Sequence, residues 1–192
     1  MQEGERFFEP VIVVASLHPA MLSFVNLVEA HVLDAIRREY NVGLPAVRRA
    51  IVFLRQELGS KHPLAEQKFE TDGKDLFIRK LGNLIAVSKG GQRVIPEVLD
   101  AYLKRIEWDL QGLATRLYPF TRQRDLVQPK VVMIDPRVSF GRPVLAGTGI
   151  RTELVAERYK AGESIDELAR DYGRNRAEIE EAVRCELAIK AA

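Results

Sequence analysis

Two stretches of helical periodicity, separated by the break NVGLP, constrain the fold of residues 26–59 more than any other feature of the sequence. Leu27, Ala30, Leu33 and Ile36 recur at the spacing of one buried helix face, and Val47, Ala50, Ile51, Leu54 and Leu58 repeat that spacing beyond the break. Asn41, Gly43 and Pro45 end the first stretch near Tyr40, Pro45 suits the first turn of the second, and Gly59 stops it. Two amphipathic helices joined by a tight glycine-containing turn match helix-turn-helix geometry. A chain of 192 residues with 46% hydrophobic side chains can build one or two modest cores to bury those faces.

Upstream, MQEGERFFEP reads as a tail and VIVVASLHP as a short strand interrupted at Pro19. Downstream, FETDGKDLFI predicts a hairpin, with Thr71, Asp72, Gly73 and Lys74 as the turn and Phe69, Leu76 and Ile78 in the strands. NLIAVS reads as extended, and PEVLDAYLKRIEWDL as a helix faced by Val98, Leu99, Tyr102, Ile106 and Leu110. Residues 111–130, broken by Gly112, Pro119 and Pro129, read as a linker. Beyond it come a strand in KVVMIDP, a glycine- and proline-rich loop, and three helices in RTELVAERYKAG, SIDELARDYG and NRAEIEEAVRCELAIK, with Ser164 and Glu167 as a capping box. The predicted fold is mainly α with short β hairpins. A winged-helix-like helix-turn-helix module occupies residues 1–110, and a three-helix helix-turn-helix domain with an N-terminal strand and Gly/Pro loop occupies residues 131–192.

Several function classes are disfavoured. The net charge of +2 means that any basic surface is local. The lone Cys185 permits no intrachain disulfide and sits on an apolar stripe as an expected buried, inert thiol. VIVVASLHPAMLSF is too short to span a bilayer and poor as a signal peptide, so the cytoplasm is expected and a membrane partner is not. His18, His31 and His62 are dispersed, with no zinc spacing and no nucleophile beside a clear partner, so no enzyme and no metal site are expected. The loop FGRPVLAGTGIR lacks the spacing of a phosphate cradle and reads as a strand-to-helix connection, so no cofactor or small-molecule ligand is expected.

Local charge points to nucleic acid. The second helix of the first pair carries Arg48, Arg49 and Arg55, Arg37 and Arg38 precede the turn, and Lys61 and His62 follow. A guanidinium grips a phosphate or forks onto the guanine edge, so these side chains suit a helix placed in the major groove. Lys74, at the tip of the expected hairpin, would touch a phosphate as part of a wing. The plain alternative is that these charges only solvate helix faces. The final helix carries Glu178, Glu180, Glu181 and Glu186 against Arg176 and Arg184, so only its start, Arg174, Asn175 and Arg176, favours an anion.

At its C-terminal end, IDPRVSFGRPVLAGTGIRTELVAERYKAGESIDELARDYGRNRAEIEEAV resembles the family of small domains of unknown function numbered 433, in Asp135, Pro136, Gly141, Pro143, Gly147, Thr148, Ile150, Arg151, Gly162, Ser164 and Tyr172. It departs from that family's common GTRI by reading GTGI, with the arginine one place after the isoleucine. NLVEAHVLDAIRREYNVGLPAVRRAIVFLRQELGSKHPLA and TDGKDLFI resemble the DNA-binding half of one group of VapB-type antitoxins of type II toxin-antitoxin systems. The resemblance implies an antitoxin that neutralises a PIN-type ribonuclease toxin and autorepresses its operon on operator DNA as a homodimer. A stand-alone dimeric transcriptional regulator is the alternative. Toxin contact is expected through Arg122, Arg124, Arg142 and Arg151 facing an acidic nuclease cleft, and self-association through the helix with Tyr102, Ile106 and Trp108.

Overall fold

Reciprocal side-chain bonds start the first long helix. Ser23 N donates to Asn26 Oδ1 (3.0 Å) and Asn26 N to Ser23 Oγ (3.2 Å), satisfying two amides that the first turn leaves unpaired. The computed structural model describes residues 10–40, 43–86, 96–122 and 125–189. Its contacts divide the chain into two units, Met1–Asp100 and Ala101–Ala192.

In the first unit β1 (Ser16–Leu17) and β2 (Ala20–Met21) form a small antiparallel hairpin ahead of α1 (Phe24–Tyr40). The helical period of α1 is as expected but its phase is not. Val28, Val32, Leu33, Ala35 and Ile36 are buried, while Leu27 and Ala30 are exposed. The face is turned because Asn26 and Glu29 are buried as well, each held by hydrogen bonds that an apolar pattern does not register. Helix α2 (Leu44–Leu58) follows expectation, with Pro45 in its first turn, Val47, Ala50, Ile51 and Leu54 buried, and Gly59 at φ 65° after its end. A short 3₁₀ turn, Pro63–Ala65, is wholly buried.

No hairpin follows. Phe69–Gly73 is a π-type turn that runs into α3 (Lys74–Ala86), so both FETDGKDLFI and the start of NLIAVS are helical; Val87 and Ser88 lie outside the described residues. Phe69, Gly73 and Phe77 are buried at four-residue intervals, with the two rings edge-on at 5.9 Å. Gly73 has no positive φ, and a Cβ on it would lie 2.9 Å from Leu58 Cδ1 and 3.0 Å from the Phe69 ring. The glycine that reads as a turn signal instead lets α3 approach α2.

Helix α4 (Pro96–Leu103) spans the division between the units and ends well short of residue 110. Ile106–Trp108 is a strand, β3, paired antiparallel with β4 (Ala114–Leu117) across a bulge, so the expected linker supplies a strand and a buried edge. Arg105 supplies the reason. Its guanidinium, 4% exposed, donates to the carbonyls of Tyr118 (2.6 Å), Gln128 (3.0 Å), Pro129 (3.3 Å) and Pro119 (3.4 Å), which folds residues 118–129 around it. Tyr102 and Ile106, expected at a dimer surface, are buried, and Ile106 and Trp108 do not belong to the helix.

Beyond it β5 (Val132–Met133) pairs with β6 (Val144–Leu145), and Leu117 and Ile134 exchange backbone bonds of 3.0 and 2.8 Å that join β4 to this pair. Helices α5 (Thr152–Lys160), α6 (Ile165–Tyr172) and α7 (Arg176–Ile189) close on Leu145, Val155, Leu168, Ile179, Ala182 and Val183. The Ser164–Glu167 capping box is formed, and Gly173 at φ 60° turns the chain from α6 toward α7. Among the described residues the chain is mainly helical, with three two-stranded sheets.

Candidate functional site

The expected DNA-facing side chains of the first unit separate by environment. Arg37 is exposed on the last turn of α1, and Arg38 follows it with its side chain outside the described residues. On α2, Arg49 is exposed while Arg48, about 100° around the helix, is half-buried. Arg55 is engaged within the unit: its guanidinium donates to the carbonyls of Val11 (2.9 Å), Pro10 (3.2 Å) and Lys61 (3.3 Å). Lys61 is exposed. Lys74 does not stand on a hairpin tip; it opens α3 and its Nζ lies 2.6 Å from Asp100 Oδ1, a bond that raises its pKa.

Beside these, Glu29 is buried and accepts from Asn26 Nδ2 (3.4 Å), while His62 Nδ1 lies 3.1 Å from its Oε2. Burial raises the pKa of Glu29 against the opposing pull of His62 and Asn26. His62, expected beside the DNA backbone, thus fastens the end of α2 to α1.

The second unit couples its arginines to carboxylates. Asp135 is buried and accepts from Arg137 Nη2 (2.9 Å), Arg137 Nε (3.0 Å), the Arg137 amide (2.9 Å) and Arg116 Nε (3.0 Å), which hold it well below the usual carboxylate range. Arg116 also reaches Glu107 (2.9 Å), whose other oxygen accepts from the Tyr118 hydroxyl (2.8 Å). Burial pushes Glu181 upward, yet bonds from Thr121, Arg122 and Arg184 outweigh it and leave the carboxyl lowered. Cys185 is a buried free thiol whose pKa burial pushes up to about 12, which leaves it protonated and unreactive at neutral pH.

The four arginines expected to meet a toxin do not form one free cluster. Arg122 is bound to Glu181 (2.7 Å) and lies 3.5 Å from Asp125, Arg142 is 2.6 Å and Arg151 3.9 Å from the same Glu153, and Arg124 lies outside the described residues. At the α6–α7 turn, Arg176 binds both Asp166 (2.7 Å) and Glu180 (2.9 Å), and Arg174 binds Glu178. Asn175 caps α7 by accepting from Glu178 N (2.9 Å) and donating its amide to Glu178 Oε2 (3.0 Å), so the start of this helix is already satisfied. What sequence reasoning missed is the turn Val138–Arg142, where Phe140 is fully exposed at φ 58° beside the exposed Arg137. The run Ser-Phe-Gly-Arg was its one visible signal. Among the described residues no three His, Cys, Asp or Glu side chains gather as a metal-holding group, and no helix is long and apolar enough to cross a membrane.

Comparison with known proteins fits this two-part design. Residues 132–184 match the family described as "Protein of unknown function (DUF433)". In sequence the chain is 33% identical over 178 residues to a Mycobacterium tuberculosis H37Rv protein named "Putative antitoxin VapB45", covering 84% of this chain and 72% of that one. In structure it is similar to the crystal structure of RV2018 from Mycobacterium tuberculosis, with a TM-score of 0.67 and 29% identity over 85% of this chain and 79% of that one. With matches long enough to extend into both units, the chain belongs to the family of VapB-type antitoxins of type II toxin-antitoxin systems, with the DUF433 region as its C-terminal part.

Proposed function

We propose that this antitoxin binds and neutralises a PIN-type ribonuclease toxin in the cytoplasm and, as a dimer, represses their shared operon by binding operator DNA. The observation that carries the reading is an identity of 33% running through 84% of the chain toward a protein named as an antitoxin, well beyond the DUF433 region alone. No catalytic step is assigned to the chain itself.

DNA binding is assigned to the first unit, through Arg37, Arg49 and Lys61, because these are exposed cations on and beside a helix pair. Arg55 is engaged by the carbonyls of Pro10, Val11 and Lys61, and the half-buried Arg48 differs in environment from the exposed Arg49, which supports unequal roles for these adjacent arginines. The corresponding arginines of α7 are opposed by Asp166, Glu178 and Glu180 and would have to leave those carboxylates to hold phosphate. Toxin contact is assigned to the second unit.

The test is binding of the full chain to its own upstream DNA at two or more salt concentrations, with and without the product of the neighbouring reading frame. Arg49→Ala should weaken specific binding and reduce the slope of log affinity against log salt by about 1, whereas Arg176→Ala should leave both unchanged. A stable protein complex without DNA preference would remove autorepression and keep neutralisation. Specific DNA binding without any protein partner would make the chain a stand-alone regulator.

A further inference from the structure

In the turn after β5, three residues in succession take the left-handed conformation: Ser139 at φ 48°, Phe140 at 58° and Gly141 at 74°. Glycine adopts this conformation freely, while serine and phenylalanine set their Cβ against the following carbonyl. Phe140 also places its whole ring in water, at 100% exposure. The residue is therefore unfavourable twice over in the isolated chain, once in its backbone and once in its side chain, and no packing inside the unit offsets either cost.

The turn is nevertheless firmly built. Val138 N donates to Asp135 O (3.0 Å), Gly141 N to Val138 O (3.0 Å), Arg142 N to Ser139 O (3.2 Å), and Ser139 Oγ to Gly149 O (3.4 Å). Its base, Asp135, is buried and clamped by Arg116 and Arg137. The backbone that carries the ring is thus held in place, so little backbone freedom is lost when the ring docks.

Charge defines the rest of the surface. From Pro136 to Thr152 the chain holds Arg137, Arg142 and Arg151 and no carboxylate. Arg137 and Arg142 flank Phe140 with 67% and 55% of their side chains exposed, and Arg142 shares the single Glu153 with Arg151. An exposed aromatic between guanidinium groups is the residue chemistry of protein-interface hot spots. Residues 131–192 carry ten basic and eleven acidic side chains, so no net positive field favours nucleic acid here.

We propose that Phe140 is the anchor by which the second unit docks onto the toxin, its ring entering an apolar socket edged with carboxylates that face Arg137 and Arg142. The proposal rests on the toxin-binding reading above and names the contact.

The experiment measures affinity of the full chain for the purified toxin from the neighbouring reading frame, alongside the thermal midpoint of the chain alone. Phe140→Gly should weaken toxin binding by about 30-fold or more while the midpoint stays equal or rises, since glycine relaxes the turn. Phe140→Tyr should retain most of the affinity, and Arg142→Ala, which leaves the Asp135 clamp intact, should weaken binding more at low salt than at high salt. Toxin affinity of Phe140→Gly within about twofold of the parent would overturn the anchor and leave the toxin reading standing. A parent chain that does not bind the toxin at all would overturn both. Loss of DNA affinity with toxin affinity intact would assign the ring to a base step and reject the protein socket.

Discussion

Glu29 in the first unit and Asp135 in the second each expose only 1% of their surface, but Glu29 is packed more deeply, and their protonation is pushed in opposite directions. Glu29 faces an amide and a histidine, and desolvation prevails. Asp135 faces two guanidiniums and a backbone amide, and those bonds prevail. Surface exposure alone therefore does not set the ionisation of a carboxyl; the depth of its packing and the permanently charged donors around it do so together. The contrast extends to each unit as a whole. Both have apolar cores, and Gly73 lets α2 and α3 come close in the first, where Arg55 grips three carbonyls, whereas the second is further fastened by Arg105, Arg116, Arg122 and Arg137 onto carbonyls and carboxylates.

The largest expected effect tests that fastening. Arg105→Met removes the donors on which four carbonyls depend and should destabilise the second unit by about 3 kcal/mol. Trp108, the only tryptophan, lies in β3 of that unit, so its fluorescence during denaturant unfolding reads this loss directly. An unchanged midpoint would mean that the carbonyls find water at no cost.

Next, Asp135→Asn should cost about 2 kcal/mol at neutral pH, the scale of bonds to a charged group. The folded-state pKa of Asp135 is depressed, so its contribution is complete above the ordinary carboxylate value of 3.8 and is lost as pH falls below it. The parent should therefore lose tryptophan-monitored stability in that acid range, and the variant should lose less.

Gly73→Ala weighs helix propensity against space. Alanine favours a helix by about 1 kcal/mol, but its methyl would meet Leu58 and the Phe69 ring at 2.9 and 3.0 Å. A net loss of about 1 kcal/mol is expected by circular dichroism, with the tryptophan signal unchanged. A gain in stability would show that α3 does not press on α2.

The smallest effect has the opposite sign. The pKa of Glu29 is raised in the folded state, so the parent gains stability as pH falls through that raised value toward 4.5. Glu29→Gln keeps a neutral acceptor and should leave stability at pH 7 equal or up to about 1 kcal/mol higher, while removing the gain on acidification. A loss like that of Asp135→Asn would place Glu29 in an ion pair of the same kind and dissolve the contrast.

Features whose partners lie within a turn or two were legible before the structure. Pro45 and Gly59 bound α2, Ser164 and Glu167 cap α6, and the three C-terminal helices fall within the segments expected for them. The candidate site was legible only in part. Arg37 and Arg49 are exposed as expected, but Arg55, His62 and Lys74 bind within their own unit, and Phe140 carries no periodicity that marks it.

By itself, then, the sequence determined the helix-rich class, the family resemblance, the local caps and the helical period of α1 and α2, because these depend on neighbours a few residues away. Tertiary structure alone decided that an Asp-Gly pair would pack two helices, that the stripe of α1 would turn to bury Glu29, and that residues 106–117 would leave the helix for a hairpin. Each of those outcomes rests on a partner distant in sequence: Leu58 for Gly73, His62 for Glu29, and the carbonyls of residues 118–129 for Arg105. Local propensity differs between alternatives by no more than about 1 kcal/mol per residue, so a buried contact or a satisfied guanidinium overrides it.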